Sequence, residues 1–346
     1  MGQTCSAVQN WGSTGGSVSD QVQPRDERVK AGDIGLRVLH WGPPRMAANL
    51  GADAGDPATI GPEGPSPAIS GGSGRTADLA TLLLVHGLAS NARLWDGVGR
   101  RLAEIGRRSV AVDLRGHGQS DKPDADYDFA TVAGDLRRLI GALGLDRPIL
   151  VGQSWGGGVV LDFAVRYPEL TRGIVLVDGG LTDLRDAFPT WEVCWDRLAP
   201  PQLVGLPLSD VEAYFNGSHS DWPREGIEGS LANFEVRPDR TIAPWLTRDR
   251  HKAILESMWG QRTAELWSRL RVPALIVPVD GGESDWTRAK RAGADAADAA
   301  LRASGVAGRI QWFEGDHDIH AQHPTELTEA ILEAERSGLF DGVAVS

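Results

Sequence analysis

From Leu79 onward, short apolar runs alternate with longer segments of helical periodicity, and this alternation restricts the fold more than any other feature of the sequence. Parallel strands covered by helices on both faces appear as nearly continuous apolar runs, each followed by a crossover helix. The predicted strands are Leu79–Val85, Ser109–Asp113, Pro148–Gln153, Gly173–Asp178, Val272–Val279 and Arg309–Phe313. The predicted helices lie at about Asn91–Ile105, Phe129–Leu143, Trp155–Tyr167, Asp285–Ala303 and Pro324–Arg336. We therefore expect an α/β fold with a doubly wound, mostly parallel sheet.

The segments before Leu79 differ in character. Residues 1–27 are polar and predict a disordered tail. Alternating apolar positions at Arg28–Lys30 and Leu36–Trp41 predict an opening hairpin. Residues 42–76 are rich in Gly and Pro and almost lack large apolar side chains, which predicts a disordered insertion between two strands. The catalytic core is thus expected to comprise residues 28–180 and 271–338.

Residues 181–270 interrupt the alternation and are predicted to form a helical cap over the carboxyl ends of the strands, where ligands bind in such sheets. Six of the chain's 12 tryptophans lie there. We consider Trp191, Trp195 and Trp222 candidates for the substrate pocket. The alternative interpretation is that these rings pack together within a small helical subdomain.

The motif Gly152-Gln153-Ser154-Trp155-Gly156 follows an apolar run and precedes a helix. A serine at a sharp turn from strand to helix adopts a strained backbone, and glycines two residues before and after make room for it. This context predicts that Ser154 is a nucleophile. A serine hydroxyl is scarcely ionised at neutral pH, so the nucleophile needs an adjacent base.

Histidine is the side chain whose ordinary pKa suits that base. His317 follows the last predicted strand directly after Gly315 and Asp316, and it is our candidate. The neighbouring side chains leave metal binding as an alternative, although their spacing fits no strong metal template. The residues concerned are Asp316, His317, Asp318, His320 and His323.

Four motifs together resemble the α/β-hydrolase superfamily, and the resemblance extends from Leu36 to Arg336. They are His86-Gly87-Leu88, the run Asp113 to Ser120 (DLRGHGQS), the motif around Ser154, and the Gly-Asp-His turn with Pro324 seven residues after the histidine. Within the superfamily the chain looks most like capped esterases, lactonases, carbon–carbon-bond hydrolases and the haloperoxidase-like group. The implied architecture is the α/β-hydrolase fold with an inserted helical cap.

The resemblance also implies roles for other residues. The backbone amides of Leu88 and Trp155 would form the oxyanion hole, with both side chains on the pocket floor. His86 and His117 resemble structural histidines.

In many members of the superfamily, the acid that orients the histidine follows the strand before the last one. Here neither aspartate of that loop lies at the usual number of residues after Pro273, so the sequence departs from the pattern. Asp178 fits the position that other capped relatives use. Asp280 is the second candidate and Asp285 the third.

Composition limits the classes of partner. The formal net charge of -12 excludes a basic stripe for nucleic acid. Two cysteines are too few for a disulfide framework, and no apolar run is long enough to cross a membrane. Without a secretory signal pattern, we expect a cytoplasmic protein. The sequence leaves the oligomeric state open.

The sequence therefore predicts hydrolysis of a carboxylic ester or lactone of a mostly apolar small molecule, through an acyl-enzyme and without cofactor or metal. Two alternatives use the same fold: a small-molecule receptor, and an acyltransferase or thioesterase with the same triad.

Overall fold

The structure, a computed structural model, describes residues 22–43 and 79–341. Most of the predicted tail 1–27 and nearly all of the predicted insertion 42–76 lie outside the described residues. The first strand begins at Arg25, two residues before the predicted end of the tail.

An eight-stranded sheet forms the centre of the described part of the chain. The strands are β1 (Arg25–Ala31), β2 (Ile34–Trp41), β3 (Leu82–Val85), β4 (Ser109–Val112), β5 (Ile149–Gln153), β6 (Gly173–Val177), β7 (Phe234–Val236), β8 (Ile242–Pro244), β9 (Ala274–Val277), β10 (Val279–Asp280), β11 (Gly308–Ile310) and β12 (Phe313–Glu314). The main sheet has the order β1-β2-β4-β3-β5-β6-β9-β11. Only the pairs β1–β2 and β2–β4 are antiparallel, so the mostly parallel sheet is confirmed.

Helices follow most of the strands, as the alternation predicts. They are α1 (Asp96–Glu104), α2 (Phe129–Ala142), α3 (Trp155–Arg166), α4 (Leu184–Ala187), α5 (Trp191–Leu198), α6 (Leu208–Ser218), α7 (Arg224–Leu231), α8 (Arg248–Gly260), α9 (Thr263–Arg269), α10 (Asp285–Ser304), α11 (Ile319–Gln322) and α12 (Pro324–Arg336). Short 3-10 helices span Ala92–Trp95, Pro168–Leu170 and Leu339–Asp341. No helix in the described ranges is long and apolar enough to span a membrane.

The core lies on both faces of the main sheet. On β3, Leu83 and Val85 pack into one buried cluster, which α2 and α3 cover, while Leu82 and Leu84 pack into a second cluster, which α1 and α12 cover. All four side chains are fully buried. Successive strand residues point to opposite faces, so burial on both faces requires the continuous apolar run seen in the sequence.

Two predicted strands are each divided in the structure. The run Val272–Val279 becomes β9 and β10, and the run Arg309–Phe313 becomes β11 and β12, with β10 and β12 forming a separate parallel pair. Pro278 lies between β9 and β10 and has no backbone N–H for a ladder hydrogen bond, which explains the break.

The insertion, residues 181–270, lies between β6 and β9. It contains the helices α4 to α9, in agreement with the helical segment predicted there. It also contains the antiparallel pair β7–β8, which the sequence analysis did not predict. These strands have three residues each, too few for an alternating pattern to be recognised. α7 packs against the 3-10 helix Ala92–Trp95 and against α11, so the insertion contacts the core beside the carboxyl ends of β3 and β5.

Candidate active site

Ser154 lies between the last residue of β5 and the first residue of α3, with φ 54° and ψ −120°. This left-handed backbone is rare for a residue with a side chain and indicates stored strain. A Cβ at Gly152 would lie 2.2 Å from the carbonyl oxygen of Gly156, and a Cβ at Gly156 would lie 2.5 Å from that of His86. Both glycines are therefore required by close backbone approach, as the motif predicts.

His317 lies in the loop between β12 and α11 and reaches back to the serine. Its Nε2 lies 2.8 Å from Ser154 Oγ, although the two residues are 163 positions apart. Gln153 donates a hydrogen bond from Nε2 to the His317 carbonyl oxygen at 3.1 Å, which ties this loop to the end of β5. The side chain of His317 is 52% exposed, so the pair is open to a ligand.

Asp178 directly follows β6, the neighbour of β5 in the sheet. Its Oδ2 lies 2.6 Å from His317 Nδ1, on the side of the ring away from Ser154. Neither of the other two candidates has an interaction with His317: Asp280 accepts hydrogen bonds from Gly282 and Arg291, and Asp285 is 95% exposed beside Arg288. Of the three predicted carboxylates, the structure brings only Asp178 to the histidine.

Lys290, on α10, is a charged neighbour of the site that the sequence analysis missed. Its ammonium donates to Asp178 Oδ1 and to the Val279 carbonyl oxygen, both at 2.7 Å. The backbone N–H of Val279 donates to the same Oδ1 at 2.9 Å. One carboxylate oxygen thus faces the histidine while two donors hold the other, which fixes the orientation of the carboxyl group.

These contacts shift the pKa values of the acid and the histidine in opposite directions. Burial would raise the pKa of Asp178, but the hydrogen bond to His317 and the charge of Lys290 hold it below its ordinary value. Desolvation lowers the pKa of His317, and the hydrogen bond and charge of Asp178 outweigh that effect, so its pKa is raised. Asp178 therefore stays ionised and favours the protonated imidazole.

The insertion fastens the loop that carries His317 through two side chains. The indole N–H of Trp222 donates to Asp316 Oδ2 at 2.8 Å. Gln322 donates to Asp221 Oδ2 at 2.6 Å, while its own amide oxygen accepts from the backbone N–H of Asp316 at 2.6 Å. We call these contacts the clasp. The clasp joins the insertion to the chain before His317, at Asp316, and after it, at Gln322.

A cavity of about 130 Å³ opens onto Ser154 and His317. Its lining consists of Leu88, Ala89, Ser90, Leu94, Gln153, Ser154, Phe215, His219, Trp222, Ser230, Asn233, His317 and Asp318. More than half of these residues are polar. The lining therefore does not favour the mostly apolar substrate that the sequence suggested.

Of the three predicted pocket tryptophans, the structure places one at this cavity. Trp222 lines the cavity, whereas Trp191 and Trp195 stack on each other with ring centroids 6.3 Å apart, in a cluster around the buried Cys194. Helical periodicity cannot distinguish a ring that faces a pocket from one that packs within a subdomain. For these two residues the packing alternative is the correct one.

The predicted oxyanion residues lie on either side of the nucleophile. Trp155 begins α3, so its backbone N–H is among those without a partner inside the helix. Leu88 lines the cavity. The indole of Trp155 does not lie on the pocket floor as predicted: it is buried in the core and stacks on His117, with ring centroids 5.3 Å apart.

His86 and His117 form hydrogen bonds with backbone groups of neighbouring loops and none with Ser154. His86 accepts from the Leu114 N–H at 3.0 Å and faces the Gly87 carbonyl oxygen at 2.7 Å, bridging the loops after β3 and β4. His117 accepts from the Ala89 N–H at 3.3 Å. Within residues 22–43 and 79–341, no group of three His, Cys, Asp or Glu side chains is arranged to hold a metal ion.

The family model for the alpha/beta hydrolase fold matches residues 80–208. Together with the sheet order and the geometry around Ser154, this match shows that the chain has the α/β-hydrolase fold. The crystal structure of E-2-(acetamidomethylene)succinate hydrolase superposes with a TM-score of 0.64 at 22% identity, covering 92% of this chain and 100% of that one.

Curated relatives are similar over shorter stretches. An uncharacterized protein of Mycobacterium tuberculosis is 44% identical over 99 residues, 29% of each chain. The 2-(acetamidomethylene)succinate hydrolase of Mesorhizobium japonicum is 32% identical over 42% of this chain and 51% of its own length. A soluble epoxide hydrolase of Corynebacterium is 33% identical over 41% of this chain and 45% of its own length. The matched stretch thus spans between 29% and about half of these relatives. Two of these three relatives are named as hydrolases.

Proposed function

We propose that this protein is a serine hydrolase that cleaves a carboxylic ester or lactone of a small molecule through an acyl-enzyme. The observation that carries the proposal is the unbroken contact from Ser154 through His317 to Asp178, at 2.8 and 2.6 Å, beside a cavity. Such a nucleophile, base and orienting acid recur on unrelated folds because each solves a separate part of acyl transfer.

In the first half of the reaction, Ser154 Oγ attacks the carbonyl carbon while its proton passes to His317 Nε2. The carbonyl oxygen becomes negative and accepts from the backbone amides of Leu88 and Trp155. When the intermediate collapses, the carbon–oxygen bond to the alcohol breaks and His317 returns its proton to the departing oxygen. The acyl group remains on Ser154.

In the second half, water replaces the alcohol. His317 accepts a proton from the water, whose oxygen attacks the acyl carbon, and then donates a proton to Ser154 as the acid leaves. Asp178 stabilises the imidazolium in both halves and stays ionised, in agreement with its lowered pKa.

The cavity lining modifies the substrate class expected from the sequence. Eight polar side chains face a space of about 130 Å³, so the proposed substrate is small and carries hydrogen-bonding groups near the reacting carbonyl. A mostly apolar substrate would leave unpaired those polar groups that have no partner within the described residues, such as the Asp318 carboxylate, at a cost in binding free energy.

A fluorophosphonate probe and an aryl acetate test the proposal. The wild-type protein should be labelled at Ser154 and hydrolyse the ester, and Ser154→Ala should lose both labelling and at least about 10⁴-fold in kcat. Ser209→Ala, which removes an exposed hydroxyl on α6, serves as the control and should retain both. Activity that persists in a folded Ser154→Ala protein would refute the assignment.

The same experiment separates the two alternatives. A receptor would react once and retain the product, which single-turnover kinetics reveal. An acyltransferase would form a new ester or amide when an alcohol or amine is added, which product analysis by mass spectrometry reveals.

A further inference from the structure

The carboxylate of Asp318 is a charged group at the cavity that the proposed reaction does not use. Asp318 directly follows His317 and lines the same cavity as Ser154. Its neighbour Asp316 accepts from Trp222, whereas the Asp318 side chain has no hydrogen bond or ion pair with any residue in the described part of the chain. Its backbone carbonyl oxygen accepts from Ala321 and Gln322, which holds the residue in place.

The charges around Asp318 leave this carboxylate poorly compensated. Burial raises its pKa, and the nearby His317 and His219 offset the rise only in part. The residues that line the cavity in the described structure include no lysine or arginine. A negatively charged group of a ligand would therefore meet a carboxylate and no permanent positive charge.

Aromatic rings lie beside the same carboxylate. Phe215, His219 and Trp222 line the cavity, with ring centroids 5.7 Å apart for the first two and 4.3 Å apart for the last two. Aromatic faces attract ammonium groups through the ring quadrupole, and a desolvated carboxylate attracts them by its charge. The combination suits a cation with an apolar surface better than either an anion or a purely apolar group.

We propose that the cavity binds a substrate whose ester carries an ammonium group, with Asp318 as the ionic partner and the rings of Phe215 and Trp222 as the aromatic wall. This inference rests on the proposed function, because the ammonium group is placed within reach of Ser154 only if the ester is the reacting group. Asp318 is then a specificity residue, and Ser154, His317 and Asp178 remain the reacting set.

Two esters of equal shape test the inference. Acetylcholine carries a trimethylammonium group, and 3,3-dimethylbutyl acetate carries a neutral tert-butyl group in the same position. The wild-type protein should favour acetylcholine by about tenfold in kcat/KM, as expected for one ionic contact to a quaternary ammonium, which has no N–H to donate. Asp318→Asn should reduce that ratio about tenfold. Asp285→Asn, the same charge change at an exposed site, should keep the wild-type ratio.

A second measurement needs no variant. Tetramethylammonium should inhibit aryl acetate hydrolysis by the wild-type protein competitively, and tert-butanol should not. Equal use of the two esters by the wild-type protein, an unchanged ratio in Asp318→Asn, or equal inhibition by the two small molecules would overturn the inference. Failure of the proposed function has a different signature, since neither ester would be hydrolysed and Ser154 would remain unlabelled by the fluorophosphonate.

Discussion

Lys290 Nζ lies 2.7 Å from Asp178 Oδ1, while Oδ2 of the same carboxylate lies 2.6 Å from His317 Nδ1. The carboxylate is thus shared between a permanent positive charge and an imidazole that becomes positive during the proposed reaction. Lys290 lowers the pKa of His317 through its charge, against the larger effect of Asp178, which raises it. The lysine therefore limits how strongly the histidine retains its proton.

Replacing this lysine should shift the pH dependence of the reaction. His317 must be neutral to accept the serine proton, so kcat/KM falls on the acid side as the ring becomes protonated. Because the positive charge of Lys290 lowers the pKa of His317, Lys290→Gln should raise that pKa and move the acid limb to higher pH. The glutamine keeps a donor for the Val279 carbonyl oxygen. The measurement is kcat/KM for an aryl acetate from pH 5 to 9.

Lys30→Gln is the matched control, since Lys30 is exposed on β1 at the far edge of the sheet and its removal should leave the acid limb in place. An acid limb that moves to lower pH in Lys290→Gln would contradict the charge argument. Thermal unfolding of both variants shows whether the fold survives the loss of a buried ion pair.

Substitution of the two leading carboxylate candidates distinguishes them directly. Asp178→Asn keeps the shape of the side chain but no longer stabilises the imidazolium, and kcat should fall about 10⁴-fold. Asp280→Asn removes a carboxylate that bonds Arg291 at the surface, so kcat should remain near wild type. A loss of similar size in both variants, or a larger loss in Asp280→Asn, would mean that the acid is assigned wrongly.

The backbone around the nucleophile leaves no space for a methyl group at Gly156. A Cβ there would lie 2.5 Å from the His86 carbonyl oxygen and 2.6 Å from that of Val85, and neither backbone atom can move without disturbing β3. Gly156→Ala should lower the free energy of unfolding by about 2 kcal/mol or more. Gly141→Ala, on an open face of α2, should raise it by about 0.5–1 kcal/mol. Urea unfolding of both variants measures the difference, and equal effects would contradict the argument.

Buried histidines should make the protein sensitive to acid. Burial lowers the pKa of His251 to about 4 and that of His320 to about 3, and it also lowers the pKa values of His40, His86 and His117. Between pH 6.5 and these lowered values the unfolded chain binds protons that the folded chain does not, so stability falls as the pH falls through this window. Four groups act in the opposite direction: the pKa of His317 is raised, and burial raises the pKa values of Asp318 and Glu335 and raises that of Asp96 to about 6.

The five histidines with lowered pKa values outnumber these four groups, so the urea midpoint should fall between pH 7 and pH 5. His320 is fully buried against Trp95, with neither ring nitrogen hydrogen-bonded in the described part of the chain. His320→Phe should reduce the slope of stability against pH. An identical slope in the variant and the wild type would show that this histidine does not contribute.

The sequence predicts the parallel strands and the candidate roles of Ser154 and His317 because each follows from a short-range pattern. An apolar run followed by a helix predicts a parallel strand, and a serine between glycines at such a boundary can adopt only a narrow range of conformations. The boundary at Pro278 was predictable in principle, since proline ends a ladder, and the longer run of apolar residues obscured it.

Lys290 could also have been found from the sequence. It shares the buried face of α10 with Ala294, Ala297 and Leu301, at intervals of four, seven and eleven residues. A lysine within such a stripe is unusual and indicates a buried partner. Trp191 and Trp195 offer no such signal, because the contacts of a ring in a small helical segment depend on tertiary packing that periodicity does not encode.

The clasp gives the insertion a further effect on the reaction cycle. Trp222 and Asp221 hold the histidine loop only while the insertion rests on the core. An outward displacement of the insertion would break both hydrogen bonds and leave the loop held by Gln153 and Asp178, which belong to the core. The precision with which the base is aimed at Ser154 is therefore shared between the sheet and the inserted segment.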